Sequence, residues 1–453
     1  MFIKVYVVIS FWLIGSITSF VQAQNQIIQE NGTAQTLIFT SGFNEGTEDD
    51  NWGNNWDDEE ERSWRVSGFV EGALGQFSQD NVVESEQSLS EIRARIDVNY
   101  SHQKFELVAS ADVLFDDVLN DNAWHTRELF VSFSPLSALD LKVGRQVMTW
   151  GTGDYLFLND LFPKDWQSFF SGRDDEYLKA PADSVRATAY INNFSVDIAL
   201  TPKFTADNYI NGERFSFYSP INELNGNTEP EHFPVESRDN SQFSMRISTT
   251  KSGIEYTVYG YQGYWSNPVG IHLNGEHQGK AFFPKMNSYG ASVRLPIAKG
   301  LLNVESAVYN SVEDSDGDKA NIPNNQVKLL VGYEQELVKN LTGAVQYYVE
   351  HMQDYANYEK STYFAEQIID QNRQILTARL THRAIHQKLV SSLFVFYSPS
   401  DHDGYIKPML SYRQNDHWNY SLGANLFWGQ EEYTFFGQHQ ENSNYWLRVK
   451  FNY

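Results

Sequence analysis

Apolar and polar residues alternate with a period of two from Trp64 to the end of the chain. Between Ile92 and Tyr100, apolar side chains occupy the even positions, and Arg93 and Arg95 are among the polar residues at the odd positions. In an extended strand, successive side chains point to opposite faces. A face with several charges faces water, because burial would require a partner for every charge. The pattern therefore predicts strands with one apolar and one hydrated face.

The same alternation recurs about eighteen times, with sixteen strands as the alternative count. Short predicted turns alternate with long connections. The predicted short turns are 101–103, 134–136, 192–193, 251–253, 296–300 and 338–340. The other connections are mostly long, at 75–88, 116–124, 149–182, 202–240, 264–286, 311–324, 351–373 and 429–442, and one of them, at 399–403, is short. This order is typical of a membrane barrel with periplasmic turns and extracellular loops, and a β-sandwich or propeller has no reason to produce it. The predicted fold is all-β, a transmembrane antiparallel up-and-down β-barrel over residues 63–453.

The N-terminus predicts a secretory signal peptide over residues 1–23. Lys4 precedes an apolar run, and small residues lead up to Ala23. A membrane anchor is the alternative, but the apolar run is shorter than the ~20 residues that a spanning helix needs. Residues 24–62 are polar and acidic, which predicts a solvated, flexible segment; a cation-binding or plug-like segment is the alternative.

Charge and composition narrow the class of protein. The net charge is -24, which argues against a nucleic-acid partner, because such proteins present a basic surface. The chain has no cysteine and therefore no disulfide or thiolate chemistry. No segment after the signal peptide is apolar for ~18 residues. A transmembrane β-barrel or a large secreted β protein remains.

The final strand resembles the carboxy-terminal assembly signal of Gram-negative outer-membrane barrels. Tyr445, Leu447, Val449, Phe451 and Tyr453 alternate with polar residues up to the last position. The resemblance implies a bacterial outer-membrane location and recognition by the barrel-assembly machinery. Outer-membrane lipid and lipopolysaccharide are the other partners expected of such a barrel.

The connection over residues 149–182 is the predicted pore constriction. A connection of this length is functional or disordered, and its many aromatic residues argue against disorder. Folded inward, its charged residues would narrow the lumen; an external lid or receptor surface is the alternative. The predicted pore and constriction residues are Arg93, Arg95, Arg145, Asp154, Asp160, Lys164, Asp165, Arg173, Asp174 and Arg186.

The segment that leads into this connection carries a family resemblance. Gly144-Arg145-Gln146, followed by Trp150-Gly151, resembles the GRQ-x-x-x-WG signature of poorly characterised Gram-negative outer-membrane barrels and is similar to the alginate-export porins. The resemblance implies an eighteen-stranded passive channel. Strict alternation places Arg145 on the lipid side, and we predict that a bulge at Gly144 turns it inward; otherwise it lies near the headgroups.

The sequence contains no motif that predicts an enzyme or a cofactor. Asp314, Asp316 and Asp318 weakly resemble a calcium loop, but the glycine is misplaced and no glutamate closes the loop, so an acidic turn is favoured. The pair His382 and His386 spans a predicted turn rather than a helix. Three hypotheses follow: a porin-type channel for a small or oligomeric polar solute, a barrel that serves as adhesin, receptor or scaffold through its loops, and a secreted β-rich hydrolase.

Overall fold

A computed structural model describes residues 63–83, 85–218, 235–272, 280–362 and 368–453. The predicted signal peptide and the acidic segment 24–62 lie outside the described residues. The described chain forms a closed antiparallel barrel of eighteen strands, as predicted, and not the alternative of sixteen.

Each barrel strand pairs with the next barrel strand in sequence, and the first and last strands pair to close the barrel. The barrel strands are β1 (Trp64–Phe77), β2 (Leu89–His102), β3 (Phe105–Asp116), β4 (Asp121–Leu136), β5 (Leu139–Val147), β6 (Pro181–Ile191), β7 (Phe194–Thr201), β9 (Gln242–Lys251), β10 (Ile254–Tyr264), β13 (Lys285–Ile297), β14 (Gly300–Ser311), β15 (Gln326–Val338), β16 (Leu341–Met352), β17 (Asn372–Ala384), β18 (Leu389–Ser398), β19 (Asp403–Arg413), β20 (Trp418–Trp428) and β21 (Asn444–Asn452). The short strands β8 (Val235–Glu236), β11 (Gly270–Ile271) and β12 (Ala281–Phe282) form a separate sheet.

The two faces of the wall follow the sequence alternation. Ile92 is 58 % exposed on the outside, whereas its neighbour Arg93 is 3 % exposed on the inside. An apolar outer face and a charged inner face are the arrangement of a barrel in lipid, not of a secreted, water-soluble β protein. Among the described helices, none has the length and apolarity needed to cross a bilayer.

The connections set the orientation of the barrel. In outer-membrane barrels the short turns face the periplasm, so the end that carries Trp64 and Tyr453 is periplasmic. One predicted long loop is wrong: residues 116–124 form a tight hairpin, because β3 continues to Asp116 and β4 begins at Asp121. The alternation of long and short connections is therefore less strict than the sequence predicts.

The largest apolar core lies inside the extracellular half of the barrel. It joins loop residues to inward-facing aromatic residues of the wall. Its members include Leu158, Phe169, Phe170 and Phe215 from loops and Tyr261, Tyr309, Tyr348, Phe394, Phe396, Tyr405 and Phe427 from strands. Tyr405 is fully buried and stacks on Phe427 with ring centroids 4.5 Å apart. Loops therefore fill this half of the lumen.

Candidate functional site

The connection between β5 and β6, residues 148–180, folds into the lumen. We call it the inner loop. Its first half is held by Glu305 of β14, a residue that is 1 % exposed. Glu305 Oε2 accepts hydrogen bonds from Thr152 N at 2.7 Å and Thr152 Oγ1 at 2.8 Å. Glu305 Oε1 accepts from Asn159 N at 3.0 Å and Asn159 Nδ2 at 2.9 Å.

A second tether reaches the far side of the barrel. Asp154 Oδ2 lies 3.0 Å from Arg379 Nε of β17, and Arg379 also pairs with Glu334 of β15. Strand β17 is almost diametrically opposite β5 and β6 in the strand order. The inner loop therefore crosses the lumen.

A short helix, Trp166–Ser171, forms the middle of the inner loop. Asp165 caps it by accepting a hydrogen bond from Ser168 N at 2.7 Å, which satisfies one of the free N–H groups of the first turn. Gly172 ends it with φ of 85°, a conformation that favours glycine. A side chain at Gly172 would also collide with the indole of Trp446 in the wall. The helix directs Phe169 and Phe170 into the aromatic core.

Four consecutive charged residues, Arg173–Glu176, follow the helix; we call them the charged segment. They contact inward-facing residues of four different barrel strands. Arg173 lies 2.7 Å from Glu91 and 3.0 Å from Asp116, Asp174 lies 3.3 Å from Arg448 and 3.1 Å from Lys450, Asp175 pairs with Lys407, and Glu176 lies 3.0 Å from Arg95. Lys450 and Arg448 hold the pKa of Asp174 below its usual value although burial opposes this.

Asp160 joins the two ends of the inner loop. Its carboxylate pairs with Lys164 at 3.1 Å and with Lys179, and it accepts a hydrogen bond from Thr149 Oγ1 at 2.6 Å. Burial raises the pKa of Asp160, but the two ammonium groups outweigh it and lower the pKa. Burial lowers the pKa of Lys179 to about 8, and the Asp160 carboxylate only partly offsets that effect.

A second loop, residues 202–218, locks the inner loop from above. Asp207 accepts hydrogen bonds from Lys164 N and Trp166 Nε1, both at 2.9 Å, and from Ser266 Oγ at 3.0 Å. Burial raises the pKa of Asp207. Arg214 of the same loop pairs with Asp116 of β3.

Below the inner loop, the periplasmic half of the barrel encloses a cavity of about 1070 Å³. The inner loop forms its roof, and residues near the periplasmic turns, such as Ser134 and Tyr190, line its lower wall. Side chains of both charge signs line it. On one side, Arg186 and Arg246 share the buried Asp197, at 2.7 and 2.6 Å.

The structure brings most of the predicted pore residues together. Arg93, Arg95 and Arg186 face inward from the wall, and the charged residues of the inner loop are within the barrel. Asp165 and Lys164 act within the loop itself: the first caps the helix, and Lys164 Nζ donates to Phe162 O at 2.6 Å.

The predicted inward turn of Arg145 is wrong. The β4–β5 register is continuous across Gly144, with Leu129 opposite Arg145, so no bulge occurs there. Arg145 therefore points outward, like the exposed Val143 two residues earlier. It donates to Thr126 O at 2.7 Å and lies 3.2 Å from the exposed Asp183. Arg145 lies near the extracellular end of β5. This position agrees with the alternative prediction, in which Arg145 lies near the lipid headgroups.

The bulge occurs instead on β4, opposite β3. The register shifts so that Ser110 faces Glu128 and Ala111 faces Thr126, which leaves Arg127 as the extra residue. Arg127 turns inward and lies over the ring of Tyr177 at 4.9 Å. Strict alternation places Arg127 outward, so the sequence analysis missed it. The sequence analysis also missed Asp197 and Lys407, although the alternation of apolar and polar residues places both side chains on the inner face.

The weak metal candidates have other roles. Asp314 accepts hydrogen bonds from Asp318 N and Lys319 N, both at 3.1 Å. These bonds form an acidic turn, the structure that the sequence favours over a calcium loop. No group of three potential metal ligands occurs among the described residues. His382 belongs to β17, and His386 lies in the following turn with φ of 53°.

No protein-family model matches the sequence, and no curated protein matches it significantly. Solved structures do match. Pseudomonas aeruginosa OccD3 is 9 % identical with a TM-score of 0.51, covering 86 % of this chain and 91 % of that one. Acinetobacter baumannii OccAB3 is 10 % identical with a TM-score of 0.51, covering 86 % and 99 %. Pseudomonas aeruginosa OccK5 is 10 % identical with a TM-score of 0.50, covering 86 % and 98 %.

At these identities, the likeness concerns the fold. The closed barrel, its apolar outer face and this likeness identify the chain as a transmembrane β-barrel of the bacterial outer membrane, with porin-type architecture.

Proposed function

We propose that the protein is a porin-type channel that passes a small or oligomeric polar solute by diffusion, with the inner loop as its constriction. The cavity of about 1070 Å³ beneath the inner loop is the observation that carries this proposal. It provides a hydrated chamber on the periplasmic side, and its roof is the element that solutes must pass. A sealed structural barrel has no need of such a chamber.

The lining supports a polar solute rather than a polyanion. Arg186 and Arg246 face the cavity, but so do Glu106, Glu255 and Glu334. Opposed charges create a transverse field at a constriction and favour dipolar, hydrated solutes. Eight acidic and ten basic side chains of the described residues line the cavity, so a polyanionic polysaccharide such as alginate would meet nearly as many like charges as opposite ones, and alginate is not the proposed solute.

A second candidate function is a barrel that acts as adhesin, receptor or scaffold with a blocked lumen. The aromatic core favours it, because side chains such as Phe170 and Tyr405 fill the extracellular half of the lumen. In that case the extracellular loops are the functional part, and the inner loop is a permanent stopper.

Planar-bilayer recording separates the two functions. The channel predicts steps of conductance for the purified protein, and larger steps after deletion of residues 155–180. A protein that inserts without conductance, and gains none from the deletion, is the blocked barrel. A panel of sugars, amino acids and oligosaccharides in liposome-swelling assays then identifies the solute class.

We also propose the barrel-assembly machinery and lipopolysaccharide as partners. The support for the assembly machinery is the last strand pair: Tyr453 N donates to Gly68 O at 3.1 Å, so this aromatic residue belongs to the closing pair. The support for lipopolysaccharide is the apolar outer face of the barrel. Replacement of Tyr453 by Ser should reduce the amount of assembled barrel in the outer membrane, as measured by fractionation.

A further inference from the structure

The closing seam between β1 and β21 differs from every other strand pair of the barrel. Each other neighbouring pair is joined by a turn or loop, which keeps its strands close in the chain. The seam has no such connection. It relies on ladder hydrogen bonds from Phe69 opposite Asn452 to Phe77 opposite Asn444, and on side chains that cross it.

Side chains in the wall already bridge the seam on its inner face. Glu71 of β1 lies 3.4 Å from Arg448 and 3.6 Å from Lys450 of β21. Glu71 is 2 % exposed and Arg448 is 5 % exposed. Two cations therefore share one carboxylate of the wall, which leaves one positive charge without a wall partner.

The charged segment of the inner loop supplies a negative charge for the two cations of β21. It also binds residues of β2 and β3, on the β1 side of the seam. Asp174 binds Arg448 and Lys450, and Asp175 binds Lys407 of β19, so two residues hold the carboxy-terminal strands. Arg173 binds Glu91 and Asp116 of β2 and β3, and Glu176 binds Arg95 of β2. Neighbouring residues of one segment thus hold strands on both sides of the seam.

We propose that the charged segment Arg173–Glu176 is a clamp on the closing seam, so that seating of the inner loop and closure of the barrel are energetically coupled. When the inner loop leaves the lumen, Arg448 and Lys450 of β21 lose their partner Asp174. On the other side of the seam, Glu91 of β2 loses its partner Arg173. Buried charges without partners are strongly unfavourable. The clamp does not depend on the channel function, because a permanently blocked barrel would have it as well.

The test compares two matched aspartates of the inner loop. Asp174→Asn removes one carboxylate partner of Arg448 and of Lys450, and both cations keep Glu71 as their other partner. Asp154→Asn is the control: it removes the partner of Arg379, which keeps Glu334, but it lies away from the seam. The rate of unfolding is followed by the mobility shift of the barrel in SDS at fixed temperature. We expect Asp174→Asn to unfold about tenfold faster than the parent barrel.

Engineered disulfides decide whether the defect is at the seam. The chain has no cysteine, so each introduced pair is unique. Leu74 and Leu447 are exposed and directly opposite across the seam, and Val331 and Tyr347 are exposed and directly opposite across β15 and β16. The oxidised Leu74→Cys/Leu447→Cys pair should abolish the defect of Asp174→Asn but not that of Asp154→Asn. The Val331→Cys/Tyr347→Cys pair should abolish neither.

Two results would overturn the clamp. One is an Asp174→Asn defect that persists in the oxidised seam background; the other is equal rescue by the disulfide between β15 and β16. If Asp174→Asn alone does not assemble, the variant is made in the seam-disulfide background and compared before and after reduction. Assembly restored by the disulfide supports the clamp, and failure in both states overturns it. Conductance plays no part in these readouts, so they are independent of the proposed channel.

Discussion

Asp154 and Arg379 are 225 positions apart in the chain, and Asp154 Oδ2 lies 3.0 Å from Arg379 Nε. The pair connects the inner loop to the strand wall almost opposite the loop's origin. With Glu305, the charged segment and the aromatic core, it makes the inner loop part of the interior of the barrel. The following predictions test that arrangement.

Glu305→Gln should loosen the inner loop. The amide puts an N–H group where Glu305 now accepts hydrogen bonds from Thr152 or Asn159, so donors face donors in a buried site. We expect a loss of about 2 to 3 kcal/mol in the free energy of unfolding. Denaturant titration measures it, and limited proteolysis should cut within 148–180. Glu313→Gln is the matched control, because Glu313 accepts a hydrogen bond from Lys285 N at the extracellular rim; its effect should be within about 0.5 kcal/mol.

Tyr405 allows a graded test of the aromatic core. Tyr405→Phe removes the hydrogen bond to Asn425 Oδ1, 2.6 Å long, and should cost about 1 to 2 kcal/mol of stability. Tyr405→Ala also leaves a cavity beside Phe427 and should cost about 3 to 5 kcal/mol. If the aromatic core limits the flow of solute, only the alanine variant increases single-channel conductance. Equal conductance of both variants would place the limiting barrier elsewhere.

Arg145 lies on the outer face and Arg246 lines the cavity, so substitutions of the two arginines distinguish the effects of these two surfaces. Arg246→Ala removes a positive charge from the cavity lining and leaves Asp197 with Arg186 alone. The reversal potential in a KCl gradient should shift toward cation selectivity. Arg145→Ala should leave it unchanged, because the side chain points outward, and its exposed pair with Asp183 stabilises the fold by less than about 1 kcal/mol. A shift in selectivity for Arg145→Ala would contradict the outward placement.

The lowered pKa of Lys179 should make the free energy of unfolding depend on pH. Its folded-state pKa of about 8 is below the ordinary 10.5, so the unfolded chain binds this proton more tightly. The contribution of Lys179 to the free energy of unfolding should therefore increase between pH 8 and 10.5. Lys179→Met should remove that increase. The measurement is the difference in unfolding midpoint between the parent and the variant at pH 7 and pH 10; an identical pH dependence of the two would contradict the assignment.

The local alternation of residues predicted most of the wall. A strand that separates lipid from water must place its apolar side chains on one face, and this constraint is visible residue by residue, as for Ile92 and Arg93. The strands of the barrel and the inward orientation of Arg95 and Arg186 follow from it. The 117–120 hairpin was missed because the length of a connection depends on where pairing stops, and the alternating pattern fades near the strand ends.

The sequence alone determined that the chain forms strands with one apolar and one hydrated face, because period-two alternation is a local property of the strands. Only the tertiary structure decided which charges meet. The pairs of Asp154 with Arg379 and of Asp174 with Lys450 join residues more than two hundred positions apart, and no local pattern encodes them. The bulge at Arg127 and the outward direction of Arg145 depend on register with neighbouring strands. The path of the inner loop likewise depends on the closed wall that surrounds it.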